Sequence, residues 1–396
     1  MRTLLLSARY SDNLGDGVIG DCLEWMIQHL RPDSEVTHVD IAPRVKFSPR
    51  DASRVSPSKR LFYSLPNSLR ALAVLAAWPI QRHRLSTLWD GAFGLPSHSG
   101  RCAIIAGGQL VSDVALNFPL KIGYASKRLA AEDIPVGVFA AGVSANFSKL
   151  GRALFERAFT RADLRWFGAR DNDSFANVRS AFSLGEGVSH LTIDPAIWSS
   201  DAYGITKKKS GRRTVGVGVA HPAELGAHIP GGTTNAEEMI EFFHSLTPIL
   251  LRQGIKPVLF NNGSAEDSYF TEQVAQHLRS SGIEIDVAAR PTTPRELVDT
   301  ISRFDSLIAH RLHSNIIGYA LGIPTVGMRW DRKVEAFFVE TGRTGYCLEA
   351  LDPEIASQCL LRAVSCADSE VDAERLRELK TFAMANLESL MRTLES

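Results

Sequence analysis

Short apolar runs alternate with helix-length periodic segments along almost the whole chain, and that alternation admits few architectures. It is the pattern of repeated strand-helix-strand units, which build a parallel sheet covered by helices on both faces. In the first half the candidate strands are 3–8, 36–41, 102–106, 136–143, 164–169 and 188–193. A polar break at 199–213, carrying Lys207-Lys208-Lys209 and Arg212-Arg213, interrupts the series. The pattern then restarts with candidate strands at 214–220, 256–260, 283–287, 306–309 and 325–328. Helices are expected at about 235–253, 266–280, 293–304, 314–321 and 332–340, and two amphipathic helices follow Pro353. The chain therefore reads as α/β, with two Rossmann-like doubly wound domains at 1–205 and 206–396. Their ligand cleft is expected between them, at the carboxyl ends of both sheets.

Composition narrows the function classes. Lys plus Arg and Asp plus Glu number 44 each, so a general nucleic-acid coat is not expected. The five cysteines lack a CxxC pair and read as reduced thiols of a cytoplasmic protein. The N-terminus is too briefly apolar for a signal peptide, and the longest apolar stretch, 71–80, falls far below the ~20 residues needed to span a bilayer. One segment departs from neutrality. Residues 41–101 hold ten basic side chains and only two acidic ones, Asp51 and Asp90, interleaved with Phe62, Leu61, Trp78, Ile80 and Trp89. That mixture fits either peripheral contact with an anionic membrane or an insertion whose apolar face packs on its own domain.

The polar clusters sit where an open α/β sheet presents its ligands, just after candidate strands. They are Asn13-Leu14-Gly15-Asp16, Gly107-Gly108-Gln109 with Asp113, Arg170-Asp171, His310-Arg311-Leu312-His313 and Trp330-Asp331-Arg332-Lys333. Arg311 and His313 arrive at the start of a helix, whose free N–H groups favour an anion such as phosphate or carboxylate. Each residue also has a purely structural alternative. Asp16 fits a helix cap, Arg170 a surface pair with Asp173, Lys333 a solvated first-turn side chain, and Asp331 the N-cap of its helix. The loop 222–232, with His221 before it and His228 in it, is a further expected cleft loop without metal-ligand spacing.

The stretch from Ala309 to Gly342, with Arg-Leu-His, Ala-Leu-Gly-Ile-Pro and Trp-Asp-Arg-Lys-Val, resembles the polysaccharide pyruvyltransferase family. Asn13-x-Gly15-Asp16, Gly107-Gly108 with Asp113, Arg170-Asp171 with Ser174, and Asp194-Pro195-Ala196 extend the resemblance towards the N-terminus. In one place the chain departs from it: the third glycine of the glycine loop is Gln109. The resemblance implies a glycosyltransferase-B-like fold and transfer of the enolpyruvyl unit of phosphoenolpyruvate to a sugar, with formation of a cyclic ketal and release of phosphate. Neither metal nor nucleotide is expected, and the acceptor is a hexose-containing glycan or a lipid-linked oligosaccharide. A small trianion needs several fixed cations, which Arg170, Arg311 and Lys333 can supply. Ketal formation needs an acid and a base, and His313 and Asp16 are the candidates, in either order. By resemblance Arg170, His313 and Lys333 hold the donor, while Asp16, with Asn13, Gly107, Gly108 and Asp113, serves the acceptor. Two other readings are a nucleotide-sugar glycosyltransferase of the same fold and an inactive scaffold in polysaccharide assembly.

Overall fold

The run Leu4-Leu5-Leu6 forms the centre of β1 (Arg2–Ser7), whose six residues are all buried, as a strand covered on both faces requires. The computed structural model describes residues 1–48, 62, 65–94, 100–208, 213–226, 235–366 and 370–396. Its first sheet continues with β2 (Glu35–Asp40), β3 (Arg101–Ala106), β4 (Val136–Ala141), β5 (Leu164–Ala169) and β6 (Ser189–Leu191). The strands pair in parallel in the order β2-β1-β3-β4-β5-β6. The second sheet contains β7 (Thr214–Gly218), β8 (Lys256–Phe260), β9 (Asp286–Val287), β10 (Ser306–Ala309), β11 (Thr325–Met328) and β12 (Cys347–Leu348). It too is parallel, in the order β12-β11-β10-β7-β8-β9. Only β12 was not expected from the sequence, since two residues at a sheet edge leave no periodic signal.

These orders fix where loops converge. In the first sheet the chain reverses direction between β1 and β3, and in the second between β7 and β10. A crevice opens at such a switch point, outside the carboxyl ends of the strands. The segments after β1 and β3, and after β7 and β10, are those that carry Asn13–Asp16, Gly107–Gln109, His221 and His310–His313.

The two domains share one apolar seam. Leu14, Val18 and Leu23 of the first helix (Leu14–Leu30) belong to the same buried cluster as Leu297, Leu312 and Ile316 of the second domain. The division at residue 206 therefore needs a correction at its far end. The last helix, Glu370–Glu395, returns to the first domain, where Leu390 packs against Gly137 of β4 and Arg31 pairs with Glu395 at 3.1 Å. Its stripe of Leu379, Ala383, Leu387, Leu390 and Leu394 is buried in that shared cluster.

Within the basic segment, residues 67–93 form a single helix, Asn67–Phe93. Val74, Leu85, Trp89 and Phe93 turn inwards, and the Trp89 indole donates to the Asp40 carbonyl oxygen. Arg50, Asp51, Arg54, Lys59, Arg60, Leu61 and Tyr63 lie outside the described residues, as do Lys209, Arg212 and the loop portion 227–234 with His228. Among the described residues no helix is long and apolar enough to cross a membrane. All five cysteines are free.

Candidate active site

The first helix begins at the domain seam. Asn13 is its N-cap residue in extended conformation, and the amide of Leu14 donates across the seam to the Asn262 carbonyl. Asn262 also reaches the Asn13 side chain at 3.5 Å and accepts from Ser314 Oγ at 2.6 Å. Asn13 thus helps to dock the domains. Gly15 permits a close approach. A Cβ there would fall 2.4 Å from His313 Nδ1, so the imidazole lies directly on the helix's first turn. Asp16 follows, partly exposed, and is not the cap residue.

Gly107 and Gly108 both adopt left-handed backbone, with φ of 71° and 64°, which side chains rarely tolerate. A Cβ on Gly108 would stand 3.6 Å from Asp16 Oδ1, so this turn borders Asp16. Gln109 takes up a structural task where the family resemblance expects glycine: its Oε1 accepts from Arg170 at 3.4 Å, and its Nε2 donates to Ser144 Oγ at 3.4 Å. Asp113 is also engaged. Its Oδ2 accepts from the Ser148 amide at 2.7 Å, fastening the start of the helix Lys149–Arg161.

Arg170 directly follows β5 and is 4% exposed. The expected alternative, a surface pair with Asp173, is replaced by buried carboxylates: Nε lies 3.4 Å from Asp171 and Nη1 lies 3.7 Å from Asp194. Asp171 meanwhile caps the helix Asn172–Ala181 through the Ser174 amide. Asp194 is the residue whose role the sequence did not disclose. One of its oxygens accepts from the Ala196 amide at 3.0 Å, while the other stands 3.5 Å from His313 Nε2. Those two facing atoms, both buried, have no hydrogen-bond partner among the described residues. Such separations tighten when a ligand assembles a site. Burial pushes the Asp194 carboxyl up, but His313 and Arg170 outweigh it and hold the group below the usual carboxylate range. Glu340, at the end of the helix Arg332–Glu340, shows the opposite balance. Burial, with Asp171 nearby, pushes it up to about 8 despite Arg170, so this carboxyl is mostly neutral at pH 7.

In the second domain the structure separates two neighbours that the sequence grouped. Arg311 is bound bidentately by Asp267, at 2.9 and 2.7 Å, and both side chains are buried. Two of the guanidinium's N–H donors are thus engaged by a carboxylate that also accepts from the His221 amide, which makes Arg311 part of a buried ion pair. His310 is likewise internal, pushed down to about 4 chiefly by burial. Lys333, by contrast, faces the cleft. It follows the N-cap Asp331, lies 4.2 Å above the Trp330 ring and is 3.5 Å from Asp331. Burial, with Arg170 and Arg311 nearby, pushes its ammonium down to about 8 against the pull of Asp331.

A cleft of about 1810 Å³ opens between the domains, with Gln109, Asp113, Arg170, Asp171 and Lys333 in its wall. Asp194 and His313 connect this wall to the seam at Gly15. The structure thus joins Arg170, Asp194, His313, Gly15 and Asp16 in one contiguous path, with Lys333 across the cleft.

A family model described as polysaccharide pyruvyl transferase matches residues 13–332, a span that contains Gly15, Asp16, Arg170, Asp194 and His313 and ends one residue before Lys333. The chain belongs to that family. No curated protein matches the sequence. Among solved structures, this polysaccharide pyruvyl transferase family member is similar to the UDP-GlcNAc 2-epimerase from Neisseria meningitidis bound to UDP-GlcNAc. The TM-score is 0.56 at 13% identity, covering 99% of this chain and 100% of that one. It is also similar to an E. coli structure described as trehalose-6-phosphate bound with UDP-2-fluoro glucose, with a TM-score of 0.59 at 10% identity over 100% and 99% of the two chains. At such identities the likeness shows the fold: two Rossmann-like domains facing a cleft, of the glycosyltransferase-B type.

Proposed function

We propose that this enzyme transfers the enolpyruvyl unit of phosphoenolpyruvate to two hydroxyls of one sugar in a polysaccharide or its precursor, producing a cyclic ketal and inorganic phosphate. The observation that carries the reading is the buried Arg170–Asp194–His313 chain, whose Arg170 end lines the cleft together with Lys333. Arg170 and Lys333 provide fixed positive charge for a ligand that bears phosphate and carboxylate together. The His313 imidazolium, balanced by Asp194, gives its proton to the methylene carbon of the donor. The cationic centre left at the adjacent carbon is attacked by the first sugar hydroxyl. Asp16, at the start of the first helix, receives that hydroxyl's proton. Phosphate then leaves, and the second hydroxyl closes the ring. Of the two hydroxyl protons, one finally replaces the proton given to the methyl group and the other leaves with phosphate.

Asp194 stands 3.5 Å from the imidazole Nε2, and Nδ1 lies against Gly15, the residue before Asp16. This reading uses the chain's own side chains throughout, with neither a metal nor a nucleotide. The acceptor is a hexose or acetamido-hexose unit. Phosphate release from phosphoenolpyruvate against a panel of hexose-terminated glycans tests the reading. Activity only with a nucleotide sugar would replace it.

A further inference from the structure

The helix Asn67–Phe93 leaves an apolar surface without a partner. From Ala71 to Gln81 it carries no charged side chain, yet within that stretch only Val74 is buried. A helix apolar on all sides belongs in a core or against lipid. Leu69, Leu72, Ala73, Ala76 and Ile80 fall on one face at helical spacing, opposite the inward-turned Val74, Trp78, Leu85 and Trp89. Leu72 and Ile80 are 60% and 63% exposed, far more than an interior helix shows. The same face continues to His83 and Arg84, both exposed.

Two further features choose the occupant. The helix itself is basic, with Arg70, Arg82 and Arg84 against a single acidic residue, and Arg84 is exposed beside this face. Within the helix, its one acidic residue, Asp90, is paired with Arg128 of the neighbouring helix. A basic, apolar helix surface is complementary to an anionic bilayer rather than to another neutral protein face. The helix also opens onto the cleft: Arg70, Ala71, Leu72 and Leu75 line it together with Leu150, Arg170 and Lys333.

We infer that the Leu69–Ile80 face seats the protein peripherally on an anionic lipid surface and turns the mouth of the cleft towards it. The stretch is too short to span, so the helix lies in the interface. This placement stands apart from the donor chemistry, so its test succeeds or fails independently of pyruvyl transfer.

The test is co-sedimentation of the full chain with vesicles of phosphatidylglycerol and phosphatidylcholine, and with pure phosphatidylcholine, at low and high salt. Binding is expected to the anionic vesicles, weakened about tenfold or more by high salt because exposed charge attraction is screened. The double variant Leu69→Glu, Ile80→Glu changes two exposed residues outside the cleft wall and is expected to lower partitioning by on the order of a hundredfold. A thermal melt of the double variant, measured alongside, should match that of the unsubstituted chain and so shows that the variant is folded. Equal, negligible pelleting with both lipids would overturn the inference, as would unaltered pelleting of the double variant. A concentration-dependent dimer that the double variant dissolves, found with no vesicle binding, would assign the face to a second copy of the chain instead.

Discussion

Replacing Gly15 with alanine puts a methyl group where the His313 imidazole lies. The new Cβ would stand 2.4 Å from Nδ1, 2.5 Å from the His313 Cβ and 2.6 Å from Cγ, against an ordinary contact of 3.4–4 Å. The ring or the helix must therefore withdraw by roughly 1 Å. Overpacking of this kind costs about 1–3 kcal/mol, while alanine in place of glycine within a helix returns about 1 kcal/mol. Net destabilisation should then be small, about 0–2 kcal/mol. Turnover is expected to suffer far more. A reacting group misplaced by about 1 Å loses on the order of a hundredfold, and a displaced general acid loses about 10²- to 10⁴-fold. Phosphate release at saturating phosphoenolpyruvate, paired with a thermal melt, separates the two effects. Gly123→Ala is the control, because nothing lies within 4 Å of its Cβ position in the helix Asn117–Ala131. It should keep full activity and equal or greater stability. Gly15→Ala with wild-type turnover would refute the claim that His313 works from its place against the first helix.

The other expectations separate binding from turnover and structure from chemistry. Lys333→Ala and Arg170→Ala should weaken phosphoenolpyruvate affinity measured by calorimetry, whereas Asp16→Asn should leave donor affinity nearly intact and cut turnover; unchanged affinity in Arg170→Ala would contradict the assignment. Lys333 has its ammonium pushed down to about 8, so it is charged below that pH and neutral above it. For that reason kcat/KM for phosphoenolpyruvate, which follows the free enzyme's ionisations, should fall as pH rises through about 8, and Lys333→Arg should abolish that fall in whatever activity remains. Asp267→Ala leaves the Arg311 guanidinium buried without its bidentate partner and should cost about 3–5 kcal/mol in urea unfolding, since breaking a buried pair strands a charge. Wild-type stability there would mean that Arg311 finds another anion.

Which of these groups the sequence discloses follows from how local their partners are. Buried parallel strands such as β1 and β10 announce themselves as continuous apolar runs, so both sheets were legible. The amphipathic stripe of Glu370–Glu395 shows that one face is covered, but periodicity does not say by which domain. Arg170, His313 and Lys333 could be singled out because strand ends and helix starts are visible in sequence. Arg311 looked equally available, since its partner Asp267 lies 44 positions away on another helix. In the sequence Asp194 stands out only within Asp194-Pro195-Ala196; the fold reveals that one oxygen caps the turn Pro195–Trp198 and the other faces His313. Glu340 carries no motif at all, and its neutrality arises from burial beside Asp171. Gln109 broke the glycine pattern, and the side chain that seemed out of place is a hydrogen-bond partner of Arg170.

The most direct measurement takes purified protein, phosphoenolpyruvate and a hexose-terminated glycan, with chelator present and no nucleotide, and follows phosphate release and the mass and proton spectrum of the glycan together. The expected result is one phosphate released for each glycan that acquires a pyruvate ketal, and loss of both signals in His313→Ala. Phosphate release without a modified glycan, strict dependence on a divalent ion, or modification only when a nucleotide sugar is supplied would contradict pyruvyl transfer from phosphoenolpyruvate by the Arg170–Asp194–His313 site.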